Sequence, residues 1–236
     1  PLQGSIVGWG EQIVGVDLSH GFIQVHAGGA SSFGLKADGS IVGWGRNVYS
    51  QLMVPSPNAA FVSIATGTFH TLGLKADGSI AAWGYGGDGQ TDVPSPNADF
   101  VAVAAGRYHS LGLKADGSIV AWGCIRSAYG QCDVPAPNID FVAISAGWEH
   151  SLGLKADGSI VAWGCAGFNN TGQCNVPSPN AEFVAITAGA VHSLGLKSDG
   201  SVVAWGANSG GQTDVPSPNA NFVAIAGGGS HSLGLK

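Results

Sequence analysis

The sequence predicts an all-β protein, a six-bladed β-propeller that occupies residues 1–236 as one domain. Three observations carry the prediction. Gly-Leu-Lys recurs six times, at Gly34, Gly73, Gly112, Gly153, Gly195 and Gly234, with a period of about 39 residues. No window shows a convincing 3.6-residue period, whereas the residues around each of these glycines alternate as strands do. The ends also fit each other. The chain stops at Gly234-Leu235-Lys236 and begins with Pro1-Leu2-Gln3-Gly4-Ser5-Ile6-Val7-Gly8-Trp9-Gly10, the piece that elsewhere follows Gly-Leu-Lys. A repeat cut mid-unit, with its missing half at the other end, suits a closed ring, because an open solenoid needs polar caps. The last blade is therefore expected to combine an N-terminal and a C-terminal strand.

The unit is readable from residue 100 onward. Phe-Val-Ala-Val-Ala-Ala-Gly opens it as strand A, and small residues there fit the crowded axis of a ring. His-Ser-Leu-Gly-Leu-Lys alternates and forms strand B. Ala-Asp-Gly is hairpin-turn chemistry, since the glycine accepts a positive φ. Ser-Ile-Val-Ala-Trp-Gly is strand C. Gly-Gln-x-Asp-Val-Pro reads as a short strand D that ends at Pro, which has no N–H for a ladder. Phe22, Phe61, Phe100, Phe141, Phe183 and Phe222 hold one repeat position; Trp9, Trp44, Trp83, Trp122, Trp163 and Trp205 hold another.

Composition narrows the function. Of 236 residues 39 are Gly, and only 10% are charged. The apolar share of 44% is enough for a core. A net charge of −6 argues against a nucleic-acid partner, which needs a basic footprint. No apolar run approaches the ~20 residues of a membrane helix. The first residue is not Met and no signal peptide is recognisable, so the chain is expected to be a processed product or a fragment.

The run A-A-G-x-x-H-S-L-G-L-K-x-D-G-S-I-V-A-W-G with its following G-Q resembles the regulator of chromosome condensation (type 1) repeat. The short unit and its Q-T-x-V-P are similar to the propeller family of bacterial β-lactamase inhibitory proteins. The resemblance covers the whole chain and implies the propeller fold. It implies little about function, because that superfamily spans a nucleotide exchange factor, a plant ultraviolet receptor and enzyme inhibitors. Six units stand here where the inhibitors have seven, so a docking geometry does not transfer.

In a meander the A–B and C–D loops share one face of the ring and the B–C turns and D–A links the other. The second face is nearly constant, and the first varies. Seven aromatics lie outside the repeat positions, Tyr49, Phe69, Tyr85, Tyr108, Tyr129, Trp148 and Phe168, and all seven sit in the variable loops. So do all three arginines, Arg46, Arg107 and Arg126, and Glu149, whereas all six lysines belong to the repeat. Tyr, Trp and Arg are the residues enriched at interface hot spots. These side chains are therefore the expected partner-binding set.

Cys124 with Cys132, and Cys165 with Cys174, each bracket a C–D loop, and units lacking the first also lack the second. Two disulfides within loops are expected, with no metal site, because the spacings lack the C-x₂–₄-C form of zinc ligands. Disulfides imply a secreted, extracellular or periplasmic protein. Asn169-Asn170-Thr171 is a glycosylation sequon.

His70, His109, His150, His192 and His231 occupy one repeat position and read as structural residues bonded to backbone. His26 is expected near the axial channel; His20 has no assigned role. Asp38, Asp77, Asp116, Asp157 and Asp199 are turn residues, and no pair of carboxylates breaks the repeat symmetry together. No nucleophile elbow or P-loop is present. The expectation is a non-enzymatic, monomeric protein-binding module without a cofactor, an enzyme inhibitor being one form of it. The alternatives are a lectin with a glycan partner and a structural module of a larger surface protein.

Overall fold

The computed structural model describes residues 5–6, 20–125, 129–166 and 170–236. Every described regular element is a β-strand. Five three-stranded antiparallel sheets follow one another along the chain: β1–β3 (Phe22–Ala27, Ser31–Lys36, Ile41–Gly45), β4–β6 (Phe61–Thr66, His70–Lys75, Ile80–Gly84), β7–β9 (Phe100–Ala105, Ser110–Lys114, Ile119–Trp122), β10–β12 (Phe141–Ala146, Ser151–Lys155, Ile160–Trp163) and β13–β15 (Phe183–Ala188, His192–Lys197, Val202–Gly206). A sixth sheet pairs β16 (Ala224–Gly227) with β17 (Ser232–Leu235). We number these blades I to VI. The first strand of each blade lines one central cavity of about 640 Å³, to which all six blades contribute.

Each blade is held by the residues that the repeat retains. The strand-B glycine lies under the strand-A phenylalanine: a Cβ on Gly112 would come within 2.4 Å of the Phe100 ring. The lysine that ends strand B sits over the same ring, 4.0 Å from its centroid for Lys114. The turn aspartate accepts both the backbone N–H and the hydroxyl of the serine two residues on, as Asp116 does from Ser118 (2.9 and 2.7 Å). Those bonds hold the turn carboxyls below the ordinary carboxylate range. Asn138, from the Pro-Asn of the D–A link, accepts from Ile119 N and donates to Ile119 O, both at 2.8 Å, and so pins the start of strand C.

Blades adhere through shared cores. Leu72, Leu74 and Ile80 of blade II pack with Phe100 and Trp122 of blade III, and the equivalent residues repeat this at the next two seams. Each strand-C tryptophan donates its indole N–H to the carbonyl of the preceding blade's Gly-Gln glutamine, over 2.7–3.0 Å in blades II to V. The histidines make a second seam. His70, His109, His150 and His192 contact the hydroxyls of Ser110, Ser151, Ser193 and Ser232 of the next blade at 2.9–3.0 Å. Those hydroxyls donate onward to the carbonyls of Gln90, Gln131, Gln173 and Gln212, the first three of which also accept an indole, so each His supplies the Nε2 proton. The histidines are structural, but their partner is a neighbouring blade's serine and not the expected backbone. Blade I has Ser31 where the others have His, and the Thr71 hydroxyl that would receive it is buried without a partner.

Two expectations need revision or fall outside the description. Strand D does not form: after Gln90 the chain turns, with Asp92 N donating to Gly89 O and Val93 N to Thr91 O. Those local turns and the following Pro94 remove the donors that a fourth strand needs. The N-terminal strand of the last blade, Trp9 included, lies outside the described residues. Ile6 is described, and it packs with Phe22 and Trp44 of blade I.

Candidate functional site

The A–B and C–D loops do share one face. Tyr85 N donates to Phe69 O (2.9 Å), and Arg46 N to Ala30 O (2.8 Å), which ties each blade's C–D loop to its own A–B loop. The opposite face carries the turns and links, joined by bonds such as Phe61 N to Gly39 O.

The variable face carries a continuous aromatic crescent. Tyr49 of blade I meets Phe69 and Tyr85 of blade II, with ring centroids 5.4 and 5.1 Å apart and near-perpendicular planes. Phe69 lies 6.2 Å from Tyr85 and 5.6 Å from Tyr108 of blade III. Arg107 continues the line: its guanidinium carbon is 4.9 Å from the Tyr108 centroid and 5.2 Å from that of Trp148 in blade IV. Edge-to-face ring pairs are worth about 0.5–1.5 kcal/mol each beyond area burial, so the crescent is preorganised. Its two ends are open to solvent, with Tyr49 39% and Trp148 42% exposed. In blades V and VI the corresponding loops carry Ala190-Val191 and Gly229-Ser230, and the aromatic line stops.

The site rests on rigid supports. In four blades the C–D loop is organised by its glutamine, whose side-chain oxygen accepts a backbone N–H two residues earlier: Tyr49 for Gln51, Asp88 for Gln90, Thr171 for Gln173, Gly210 for Gln212; the Gln131 oxygen makes no such bond. The A–B loops are laced around the axis by backbone bonds, among them Arg107 N to Trp148 O and Trp148 N to Ala190 O. Cys124–Cys132 and Cys165–Cys174 are disulfide-bonded, with Cα separations of 6.2 and 6.1 Å. Ala166 N donates to Tyr129 O (3.1 Å), which joins the two bridged loops.

Six of the eleven expected binding residues thus form one contact chain: Tyr49, Phe69, Tyr85, Arg107, Tyr108 and Trp148. Arg46 is exposed and lines a small cavity with Tyr49, Phe69, Gln51 and Thr68. Tyr129 is half-buried in the first bridged loop. Glu149, in the same loop as Trp148, is 8% exposed. Arg126, Phe168 and Asn169 of the sequon lie outside the described residues. The role of the glutamines was missed; the signal for it was a glutamine after each C–D loop, at Gln51, Gln90, Gln131, Gln173 and Gln212. His26 does line the axial cavity, where burial lowers its pKa. Among the described residues no group of three or more His, Cys, Asp or Glu can hold a metal ion.

Six successive β-sheet blades, all contributing to one central cavity, define a propeller-type all-β protein. The model of the regulator of chromosome condensation (RCC1) repeat matches residues 61–90, 100–131, 141–173 and 183–212, just over half the chain. The chain belongs to the RCC1 repeat family. No curated protein matches it in sequence. Among solved structures it is similar to the ectodomain of the Physcomitrella patens receptor kinase CR4 (24% identity, TM-score 0.69, covering 88% of this chain and 56% of that one). It is also similar to Prp20p from Saccharomyces cerevisiae (20%, 0.71, 90% and 68%). The CRINKLY WD40 ectodomain of the Arabidopsis thaliana receptor kinase ACR4 is a third (22%, 0.71, 91% and 76%). The chain therefore spans little more than half the length of the CR4 ectodomain, and these likenesses concern the fold.

Proposed function

We propose that this chain is a secreted, non-enzymatic binding propeller that docks a protein partner on the crescent running from Tyr49 to Trp148. The observation that carries the reading is the crescent itself: side chains from four blades in mutual contact, ending on exposed Tyr49 and Trp148. Loop drift alone would scatter aromatics without joining them. Large rigid side chains on a preorganised surface lose little entropy on docking. The asymmetry favours one large partner over a sugar site repeated in every blade. The solved relative Prp20p is described with binding properties to Gsp1p and histones, and yeast RCC1 bound to Kap60, which supports protein partners for this scaffold. Two disulfides support an oxidising compartment, and among the described residues no helix is long and apolar enough to cross a membrane. An enzyme inhibitor is the form of such a module that the similarity to the inhibitory propellers raises.

The scaffold that goes with this reading is a single ring of six blades, Ile6 standing where the other blades have the first residue of strand C. Three features support it. Ile6 approaches Gly34 of blade I as Ile119 approaches Gly153 of blade IV. Leu233 and Leu235 of β17 are each 63% exposed, whereas Leu194 and Leu196 of blade V are 2% and 5%. A cleft lined by Leu194, Val202, Gln212 and Phe222 lies where the other seams hold a tryptophan.

The test of function is a pull-down from the source environment with wild type and with a Tyr108→Ala/Trp148→Ala variant as baits. Binding of the captured protein should weaken by more than ~2 kcal/mol in the variant. Unchanged affinity with the fold intact refutes the crescent. Selective capture on a glycan array, lost in the variant, replaces the protein partner by a sugar.

A further inference from the structure

We infer that the crescent selects a protein segment that presents a carboxylate to Arg107 beside an apolar or aromatic side chain; this rests on the docking reading above. Arg107 is held in an unusual way. Its guanidinium stacks on Tyr108 of its own blade and Trp148 of the next, and its backbone N–H bridges to Trp148 O at 3.3 Å. Ring contacts use the faces of a guanidinium and leave its in-plane N–H donors available. Among the described residues the Arg107 side chain makes no hydrogen bond or ion pair of its own. A half-buried, stacked arginine with unused donors is matched by a carboxylate, which two parallel N–H···O bonds can hold. The aromatic surround lowers the local dielectric and strengthens that pairing.

The distribution of charge agrees. The chain has a net charge of −6, yet both described arginines, Arg46 and Arg107, sit on this face. The six lysines are engaged elsewhere, each over the phenylalanine ring of its own blade. Of the described carboxylates, Asp88 and Glu149 within these loops are 3% and 8% exposed, and the exposed Asp92, Asp133 and Asp214 follow the C–D glutamines, away from the Arg107 contact chain. The face therefore shows a partner positive charge set in aromatic surface. Arg46 repeats the combination at the far end, beside Tyr49 and Phe69 on the cavity they share. Three arginines are too few for the footprint of a nucleic-acid backbone, so an acidic protein loop is the occupant the charges favour.

The probe is a random peptide library displayed on phage, panned against wild type, Arg107→Gln, and Tyr108→Ala/Trp148→Ala, each first checked for an unchanged urea midpoint. Peptides enriched on wild type should carry Asp or Glu next to an aromatic residue. Their affinity should drop about tenfold or more on Arg107→Gln, recover in part with Arg107→Lys, and fall as salt rises. Enriched peptides without acidic residues, or acidic peptides bound equally by Arg107→Gln, overturn the carboxylate proposal. The crescent reading survives that result if the aromatic variant still abolishes capture. No enrichment over the aromatic variant overturns both. Acidic sugars captured in place of peptides, and lost in Arg107→Gln, also overturn the proposal.

Discussion

Acid should unfold this protein through its inter-blade histidines. His70, His109 and His150 are fully buried, and burial lowers each pKa from 6.5 to about 3. In each ring Nε2 is committed to a serine hydroxyl and Nδ1 is buried without a partner, so the folded state has no place for a second proton. The unfolded chain binds protons below pH 6.5, the folded chain only near pH 3. Stability is therefore full above pH 6.5 and declines as pH falls through the window from 6.5 to 3. At pH 5 each histidine costs about 2 kcal/mol, since each pH unit below 6.5 is worth 1.36 kcal/mol. The three together cost roughly 6 kcal/mol, comparable with the whole stability of a typical domain, ~5–15 kcal/mol. His192 adds in the same direction. The turn aspartates contribute separately and lower, below their ordinary value of 3.8. The assay is urea unfolding followed by tryptophan fluorescence at a series of pH values from 8 down to 4. The slope of stability against pH should approach three protons taken up on unfolding. A His109→Gln variant should be weaker at pH 8 by about 1–2 kcal/mol and should lose one proton from that slope. A stability that stays level between pH 7 and 4.5, or a slope unchanged in the variant, refutes the reasoning.

Other outcomes follow from the same packing. Gly112→Ala should cost about 1–3 kcal/mol by driving a methyl group into Phe100, read as a lower urea midpoint; an unchanged midpoint contradicts the contact. Thiol titration of the denatured, unreduced protein should find no reactive cysteine, and four should appear after reduction. Removing residues 1–9 should lower the melting temperature if they close the ring, and an unchanged value ends that proposal.

Much of the fold was legible because a propeller blade is built from local signals. The Asp-Gly turn needs a glycine at positive φ, and Gly39, Gly78, Gly117, Gly158 and Gly200 all have φ near 80°. The cysteine pairs were legible from their joint appearance and absence in single units. Strand D was misread because Gly-Gln-x-Asp-Val-Pro has strand-like composition, while its hydrogen bonds go to tight turns. The serine partners of the histidines were hidden for a simpler reason: His109 and Ser151 lie 42 residues apart and meet only across a seam.

The sequence by itself determined the repeat, its strands and turns, the two disulfides and the face on which variation gathers, because each of these is written within one unit of about 39 residues. The tertiary structure alone decided that Tyr49, Phe69, Tyr85, Tyr108, Arg107 and Trp148 form one surface. The physical reason is that those contacts join side chains from different units. Their distances depend on how the shared cores of Leu, Ile, Phe and Trp set one blade against the next, and no single repeat specifies that.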